Sequence, residues 1–553
     1  MSSQPAYVTK HNPWLVLLVL CLGFFMILLD LTIVNIAIPS IIDGLHASLD
    51  SILWVLNAYI LAYAVLLITA GRLGDMFGAR RLFLIGLAVF TLASIACSLA
   101  QSPGQLIGAR IVQGIGGAIL TPQTLSMITN IFPSEKRGAA FGVWGGVAGV
   151  ASLAGPTLGG FLVTNYDWRA IFWINVPVGI VTFALGIWLL PAVKFGRAHS
   201  LDPVGVLLAT AGLSALVFAL IEGQRYHWGT FTNTLAFDAL GGHWGLISIP
   251  ALFVLSAILL AVFLIWERRQ PEPLVPFALF KERNFALGNA LSAIVSFGML
   301  GLFLPLTIFL QSVLGFSALK AGLTFAPMSL VSMVIAPISG RLTDRYGGKY
   351  ILMLGLTLFG IGMGLVIATS SLSSDQFSYI VPLIVAGIGL GCTFAPMTTV
   401  TMRRVDPRLA GAASGILNTI RQLGGAFGST IVGAILQNRL VSELVTQSQA
   451  QAGNVPPAYR AGFVQGFAKA GNGVLEVGRG QSGVALPSGI PAQVAARIGQ
   501  VAHDVFANAY LSAMRPALAV PIGVLLVGAL LTTMIVRRKN FVQPVRLPAA
   551  VSG

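Results

Sequence analysis

Asp30 is the carboxylate set deepest in an apolar run. It interrupts the stretch from Trp14 to Ile38 in the string Leu29-Asp30-Leu31-Thr32-Ile33-Val34-Asn35. An acid in lipid is costly unless protonated or paired, so a residue of this kind marks an ion or proton pathway. The bland alternative is an acid hydrated near the interface. Arg110 stands a few residues into another apolar run, where it needs a partner or water. Asp30 is the candidate partner, and outward snorkelling is the alternative. A third charge, Arg421, lies midway along a later apolar run, near Asn418 and Gln422 on a helical surface. Its depth marks it as functional by default, with no partner named by the sequence and a water-lined structural role still open.

This chemistry belongs to coupled transport rather than to catalysis. The six histidines fall in tails, loops or span ends, so no acid–base set converges within the membrane. The sole Gly-Lys pair, Gly348-Lys349, is followed by Tyr350 and lacks the Ser/Thr of a phosphate-binding loop, which excludes an ATP-driven pump. Cys21, Cys97 and Cys392 lie within apolar spans and form neither a disulfide framework nor a metal site. No cofactor is expected.

The elements that position these residues follow from composition. Hydrophobic residues make up 56% and charged residues 9% of the 553, with mean hydropathy +0.85. A soluble domain carries about 25% charged residues, so the chain is an all-α integral membrane protein. A window of about 20 apolar residues yields fourteen spans, if 202–221 and 244–266 are both accepted. Lys and Arg concentrate in alternate loops, among them Arg72, Arg80, Arg81, Lys136, Arg137, Arg341, Arg345, Arg403 and Arg404. The positive-inside rule then puts both termini in the cytoplasm of a cell-membrane protein. The net charge of +15 therefore reflects topology, not a nucleic-acid partner.

The chain repeats itself. Gly71-Arg72-Leu73-Gly74-Asp75-Met76-Phe77-Gly78 recurs as Gly340-Arg341-Leu342-Thr343-Asp344-Arg345-Tyr346-Gly347, and Gly138-Ala139-Ala140-Phe141-Gly142 is echoed by Gly411-Ala412-Ala413-Ser414-Gly415. Internal duplication of this kind is typical of secondary transporters. The expected organisation is a cytoplasmic tail (1–13), a six-helix half (14–191), two inserted helices (202–266), a cytoplasmic linker (267–283), a second six-helix half (284–536) and a cytoplasmic tail (537–553). An extracytoplasmic loop, 437–508, interrupts the second half, with possible amphipathic helices near 457–470 and 491–508. It could act as an outer flap or dock an envelope accessory protein.

These strings resemble the major facilitator superfamily and, more narrowly, its fourteen-helix drug:proton antiporters of the EmrB/QacA type. Gly71 to Arg81 is similar to the signature loop between spans two and three. The resemblance implies that Asp75 faces the start of span thirteen near Ala410 and latches that face shut, with Gly71, Arg80, Arg81 and the repeat's Asp344 in the same gating apparatus. Leu29 to Pro39 resembles the first-helix motif of proton-coupled exporters, and Arg110 to Ala118 a fourth-helix motif whose arginine is tied to proton transfer. Gly146 to Gly160, with Gly155, Pro156 and Gly159, resembles the antiporter motif of span five. Asp167-Trp168-Arg169-Ala170-Ile171-Phe172-Trp173-Ile174-Asn175 resembles a string of the fourteen-helix branch.

What the resemblance implies is proton-coupled export of small molecules by alternating access, powered by the proton gradient. Asp30 and Arg110 would carry the proton, and Met26, Asn35, Tyr63, Gln113, Phe303, Asn418, Arg421 and Gln422 would line the substrate cavity. Residues 320–339 hold no carboxylate, so lipophilic monocations or neutral amphiphiles are expected in preference to dications. An exporter of an endogenous metabolite, lipid or siderophore is the alternative, and an importer of the same fold is a further one.

Overall fold

The computed structural model describes residues 12–47, 49–192, 202–226, 228–230, 248–470 and 491–536. Residues 1–11 and 537–553 of the expected tails and 471–490 of the expected outer loop lie outside the described residues. Among the described residues, fourteen long helices carry the fold. In the first half they are α1 (Pro13–Leu45), α2 (Leu49–Phe77), α3 (Ala79–Ser98), α4 (Pro103–Ile131), α5 (Arg137–Asn165) and α6 (Asn175–Leu189), the last preceded by a single turn, Ala170–Trp173. Two more are α7 (Pro203–Glu222) and α8 (Ile249–Glu267). The second half supplies α9 (Arg283–Ile308), α10 (Ala326–Tyr346), α11 (Gly348–Thr369), α12 (Ile380–Met402), α13 (Ala410–Gln451) and α14 (Ala492–Leu531).

Several helix starts are written locally. Asn12, Ser102 and Ser248 accept hydrogen bonds from Trp14, Gln105 and Ala251 backbone N–H groups, each with a proline in the first turn. A proline there has no N–H to leave unsatisfied, so cap and proline together fix the start. Eleven of the helices are long and apolar enough to cross a membrane. The other three, α4, α10 and α13, are as long but more polar. They carry the inward-facing Arg110, Gln113, Gln123, Asn418 and Arg421, or a run of serines.

The halves repeat one another in packing as well as in sequence. In the first, α1 packs on α5, α2 on α4 and α3 on α4; in the second, α9 packs on α13, α10 on α12 and α11 on α12. The halves meet through two equivalent pairs, α2 against α13 and α5 against α10. Both crossings depend on glycine. A Cβ on Gly71 would stand 2.3 Å from the Gly411 carbonyl oxygen, and one on Gly340 would stand 2.1 Å from that of Gly138.

Of the inserted pair, α7 lies on the α2–α13 seam and α8 packs on α7. Ser256 Oγ of α8 donates to the Gly212 carbonyl of α7 at 2.8 Å. The ring of Phe218 on α7 lies 5.6 Å from Trp54 of α2, while Thr430 Oγ1 of α13 donates to the Leu220 carbonyl at 3.1 Å. One helix thus touches both halves.

In the stretch 437–508 the helices expected near 457–470 and 491–508 are present, while α13 continues past 436, where the loop was expected to begin. Helix α13 runs for 42 residues and α14 for 40, roughly 60 Å each against a hydrocarbon core of about 30 Å. The excess is held together by apolar side chains continuous with the core of the second half: Leu440, Leu444, Val455, Phe463, Phe467, Ile498, Val505 and Phe506 are buried, with Arg460–Ala470 a further helix. Leucines at 436, 440 and 444 keep one apolar stripe at helical spacing beyond the span, so the helix has no physical reason to stop at 436.

Candidate functional site

Asp30 is fully buried and lies against Arg110, which is 1% exposed. Arg110 Nη1 donates to Asp30 Oδ2, and also to Gln113 Oε1 at 2.7 Å. Its Nε donates to the Val55 carbonyl of α2 at 3.2 Å, and its guanidinium sits 4.1 Å over the Tyr59 ring. Asp30 Oδ1 accepts from Gln113 Nε2 at 2.9 Å and from Asn175 Nδ2 at 3.4 Å. Ser94 Oγ of α3 accepts from the same two amides, at 3.3 and 3.1 Å, and donates to the Phe172 carbonyl. A buried ion pair is tolerated when further hydrogen bonds satisfy its remaining lone pairs and protons. Here α1, α2, α3, α4 and the start of α6 supply them, all from one half of the molecule.

The latch motif lies elsewhere. Asp75 Oδ1 and Oδ2 accept from the backbone N–H groups of Gly411 and Ala412, at 2.8 and 2.7 Å, at the first turn of α13. Asp344 does the same for Gly138 and Ala139 of α5, at 2.8 and 2.9 Å. A helix N-terminus bears about half a positive charge and unpaired N–H groups, which a carboxylate meets in one contact. Arg80 donates to the Ile187 carbonyl of α6, while Arg81 is exposed. Gly155 packs on Thr32 of α1, where a Cβ would stand 2.1 Å from Thr32 Oγ1, and Gly159 packs on Ile33. Pro156 lies in α5, with its side chain outside the described residues.

The residues expected to line one cavity are dispersed. Gln113 belongs to the Asp30 network: three residues on from Arg110, it shares that face of α4 and its amide bridges both charges. Met26 is completely buried in the apolar core of the first half. Phe303 packs against Phe325, ring centroids 4.7 Å apart, beside the core of the second half. Asn35 is exposed and its amide bonds back to the Leu31 carbonyl. Asn418 is buried, with Nδ2 donating to the Ser414 carbonyl at 2.8 Å.

Arg421, Gln422, Tyr63 and Asn418 do gather near the junction of the halves. Helix α13 is buried without a break from Ala410 to Thr419, then half-buried over Ile420–Leu423. Arg421 Nη2 donates to Asn418 Oδ1 at 2.6 Å, the Tyr63 hydroxyl of α2 faces the guanidinium, and the Trp144 ring of α5 lies 5.7 Å away. Trp144 stacks on Phe24 of α1 at 4.2 Å, and Tyr63 Oη donates to Thr121 at 3.2 Å. Two residues missing from the expected site are central to these clusters: Asn175 beside Asp30 and Trp144 beside Arg421. Asn175 had a signal, an amide just inside an apolar run.

The family model of the major facilitator superfamily matches residues 20–429. The chain belongs to that superfamily. A relative described as an uncharacterised MFS-type transporter of Mycobacterium tuberculosis is 40% identical over 435 residues, covering 78% of this chain and 72% of the relative. The tetracenomycin C resistance and export protein of Streptomyces glaucescens is 34% identical over 533 residues, 96% and 93% of the two chains. Among solved structures, the human organic anion transporter MFSD10 superposes with a TM-score of 0.57 at 12% identity, covering 93% of this chain and all of that one; the likeness concerns fold alone. The superfamily member is therefore a multi-span transporter and not an enzyme.

Proposed function

We propose that this chain is a drug exporter that expels small amphiphilic molecules across the cell membrane in exchange for protons, by alternating access. The observation that carries the coupling half of the reading is the Asp30 network. A fully buried acid on α1 is held by Arg110, Gln113 and Asn175, and Arg110 has other acceptors in the Val55 carbonyl and Gln113 Oε1. Protonating Asp30 would cancel the ion pair and leave Arg110 bonded to α2 and α4 alone, so the tie of α1 to α4 would fall to the Gln113–Asp30 hydrogen bond. Likeness to a drug resistance and export protein over nearly the whole chain supports the export half.

The gating half rests on Asp75 and Asp344. Both carboxylates cap a helix of the opposite half, at the same end of the bundle, and closing one end is the condition for opening the other. Fourteen crossings with both termini cytoplasmic, the topology of the EmrB/QacA type, would follow if α4, α10 and α13 cross along with the eleven apolar helices. That end would then face the cytoplasm.

No carboxylate is free to meet a cationic substrate at Asp30, because that acid is completely buried and neutralised by Arg110. Of the classes left open by sequence, this favours neutral amphiphiles over monocations. The test is export from everted vesicles under an imposed pH gradient. Wild-type protein should expel an accumulated lipophilic dye only with the gradient, and Asp30→Asn should not respond to it. Gradient-driven export by Asp30→Asn would end the assignment.

A further inference from the structure

Arg421 is a cation near the junction of the two halves. No Asp or Glu among the described residues forms an ion pair with it; its contacts are Asn418 Oδ1, the Tyr63 hydroxyl and the Trp144 ring face. Arg110, the other guanidinium at such depth, has Asp30, two side-chain or carbonyl acceptors and an aromatic face. A guanidinium offers five N–H donors, and the partners it has here, Asn418 Oδ1 and the Tyr63 hydroxyl, are both neutral. The neighbouring Trp144 is 1% exposed, and its indole N–H has no hydrogen-bond acceptor. Burying a charge in this way is expensive unless something pairs with it.

The location gives that something a place. Arg421 comes from α13 of the second half, while Tyr63, Trp144 and its stacking partner Phe24 come from three helices of the first. The half-buried turn Ile420–Leu423 begins directly after the fully buried stretch that meets α2 at the latch. A molecule here would touch both halves, with an aromatic wall on one side and the Arg421 guanidinium on the other.

We propose that Arg421 and Trp144 form a substrate subsite selective for an anionic oxygen, a carboxylate or an ionised phenol or enol, carried on a flat aromatic body. This deepens the exporter reading and rests on it. The guanidinium supplies the charge-assisted bond, the indole N–H a second donor, and the Phe24–Trp144 stack the apolar platform.

The experiment uses full-length protein in nanodiscs and two matched probes. 2-Hydroxy-1,4-naphthoquinone is ionised at neutral pH; its 2-methoxy ether has nearly the same shape and no charge. Equilibrium dialysis should show the wild type binding the hydroxy compound at least about tenfold more tightly. Arg421→Gln should erase the preference and Arg421→Lys should keep part of it, with thermal unfolding of each variant measured alongside to report the fold. Equal binding of the two probes by the wild type, or an undiminished preference in a folded Arg421→Gln, overturns the proposal. Vesicle transport of the same probes separates the two readings. Preference in binding without export sinks only the exporter reading; export without preference sinks only the subsite.

Discussion

Replacing Asp75 by asparagine tests the latch at its most exposed assumption, that a charge is holding the two halves together. The carboxylate takes two backbone N–H groups at 2.8 and 2.7 Å from the first turn of α13. An asparagine keeps one acceptor oxygen and turns an NH2 group toward the second N–H. The loss is one charge-assisted bond, about 1.5–3 kcal/mol, plus an attraction to the helix end of about 0.3–1 kcal/mol. Part returns as water reaches the freed N–H, so about 2 kcal/mol is a working figure, or roughly 30-fold in the equilibrium between closed and open ends. Spin labels placed at the exposed positions Phe77 and Arg408, in a background lacking the three native cysteines, would read that equilibrium as a distance distribution. The variant should populate a longer distance without substrate, while the affinity for a bound probe changes little, since the latch lies apart from Arg421. An unchanged distribution would mean that glycine packing alone closes this end and that the charge is incidental.

Two further substitutions probe the network and its supports. Arg110→Lys keeps the charge but loses the fork that reaches Asp30, Gln113 and the Val55 carbonyl together, so gradient-driven export should fall at least about tenfold; full activity would reduce Arg110 to a charge carrier. Gly155→Val would drive a side chain into Thr32, where a Cβ alone falls 2.1 Å from Oγ1, and overpacking of this kind costs about 1–3 kcal/mol. Its thermal unfolding should come at lower temperature, and Thr32→Ala in the same chain should restore part of the loss; no rescue would place the strain elsewhere.

Much of this arrangement was legible because charge in an apolar run is rare. Asp30 and Arg110 stand out on that ground alone, and the repeated Asp75 and Asp344 motifs imply a two-fold plan that α2–α13 and α5–α10 display. Neutral polar groups carry no such flag. Gln113 looked like a cavity residue, although its three-residue offset from Arg110 placed it on the same helical face. Asn175 and Ser94 are ordinary residues in hydrophobic helices until Asp30 is set beside them. The helices expected near 457–470 and 491–508 are present, but the continuation of α13 past 436 was not legible, because hydropathy detects membrane crossings and this extension follows amphipathic spacing instead.

The separation of the charges constrains how coupling can work. Protonating Asp30 unmasks Arg110, whose guanidinium lies 4.1 Å from the Tyr59 ring; that ring stacks 6.1 Å from Tyr63, which faces Arg421. The added positive potential would favour an anion at Arg421, so electrostatics alone makes proton and anion bind together rather than exclude one another. Linkage is reciprocal, so exchange must arise from conformation, with the two ligands selecting opposite-facing states. An exported monoanion traded for one entering proton moves two charges in the same electrical sense, whereas a neutral substrate moves one. At about 2.3 kcal/mol per charge per 100 mV, the anion's transport should depend twice as steeply on membrane potential. In proteoliposomes under potassium diffusion potentials set with valinomycin, the hydroxynaphthoquinone should respond about twice as steeply as its methoxy ether. Equal slopes would mean that the enol is carried in its protonated, neutral form, and the charge of Arg421 would then need another explanation.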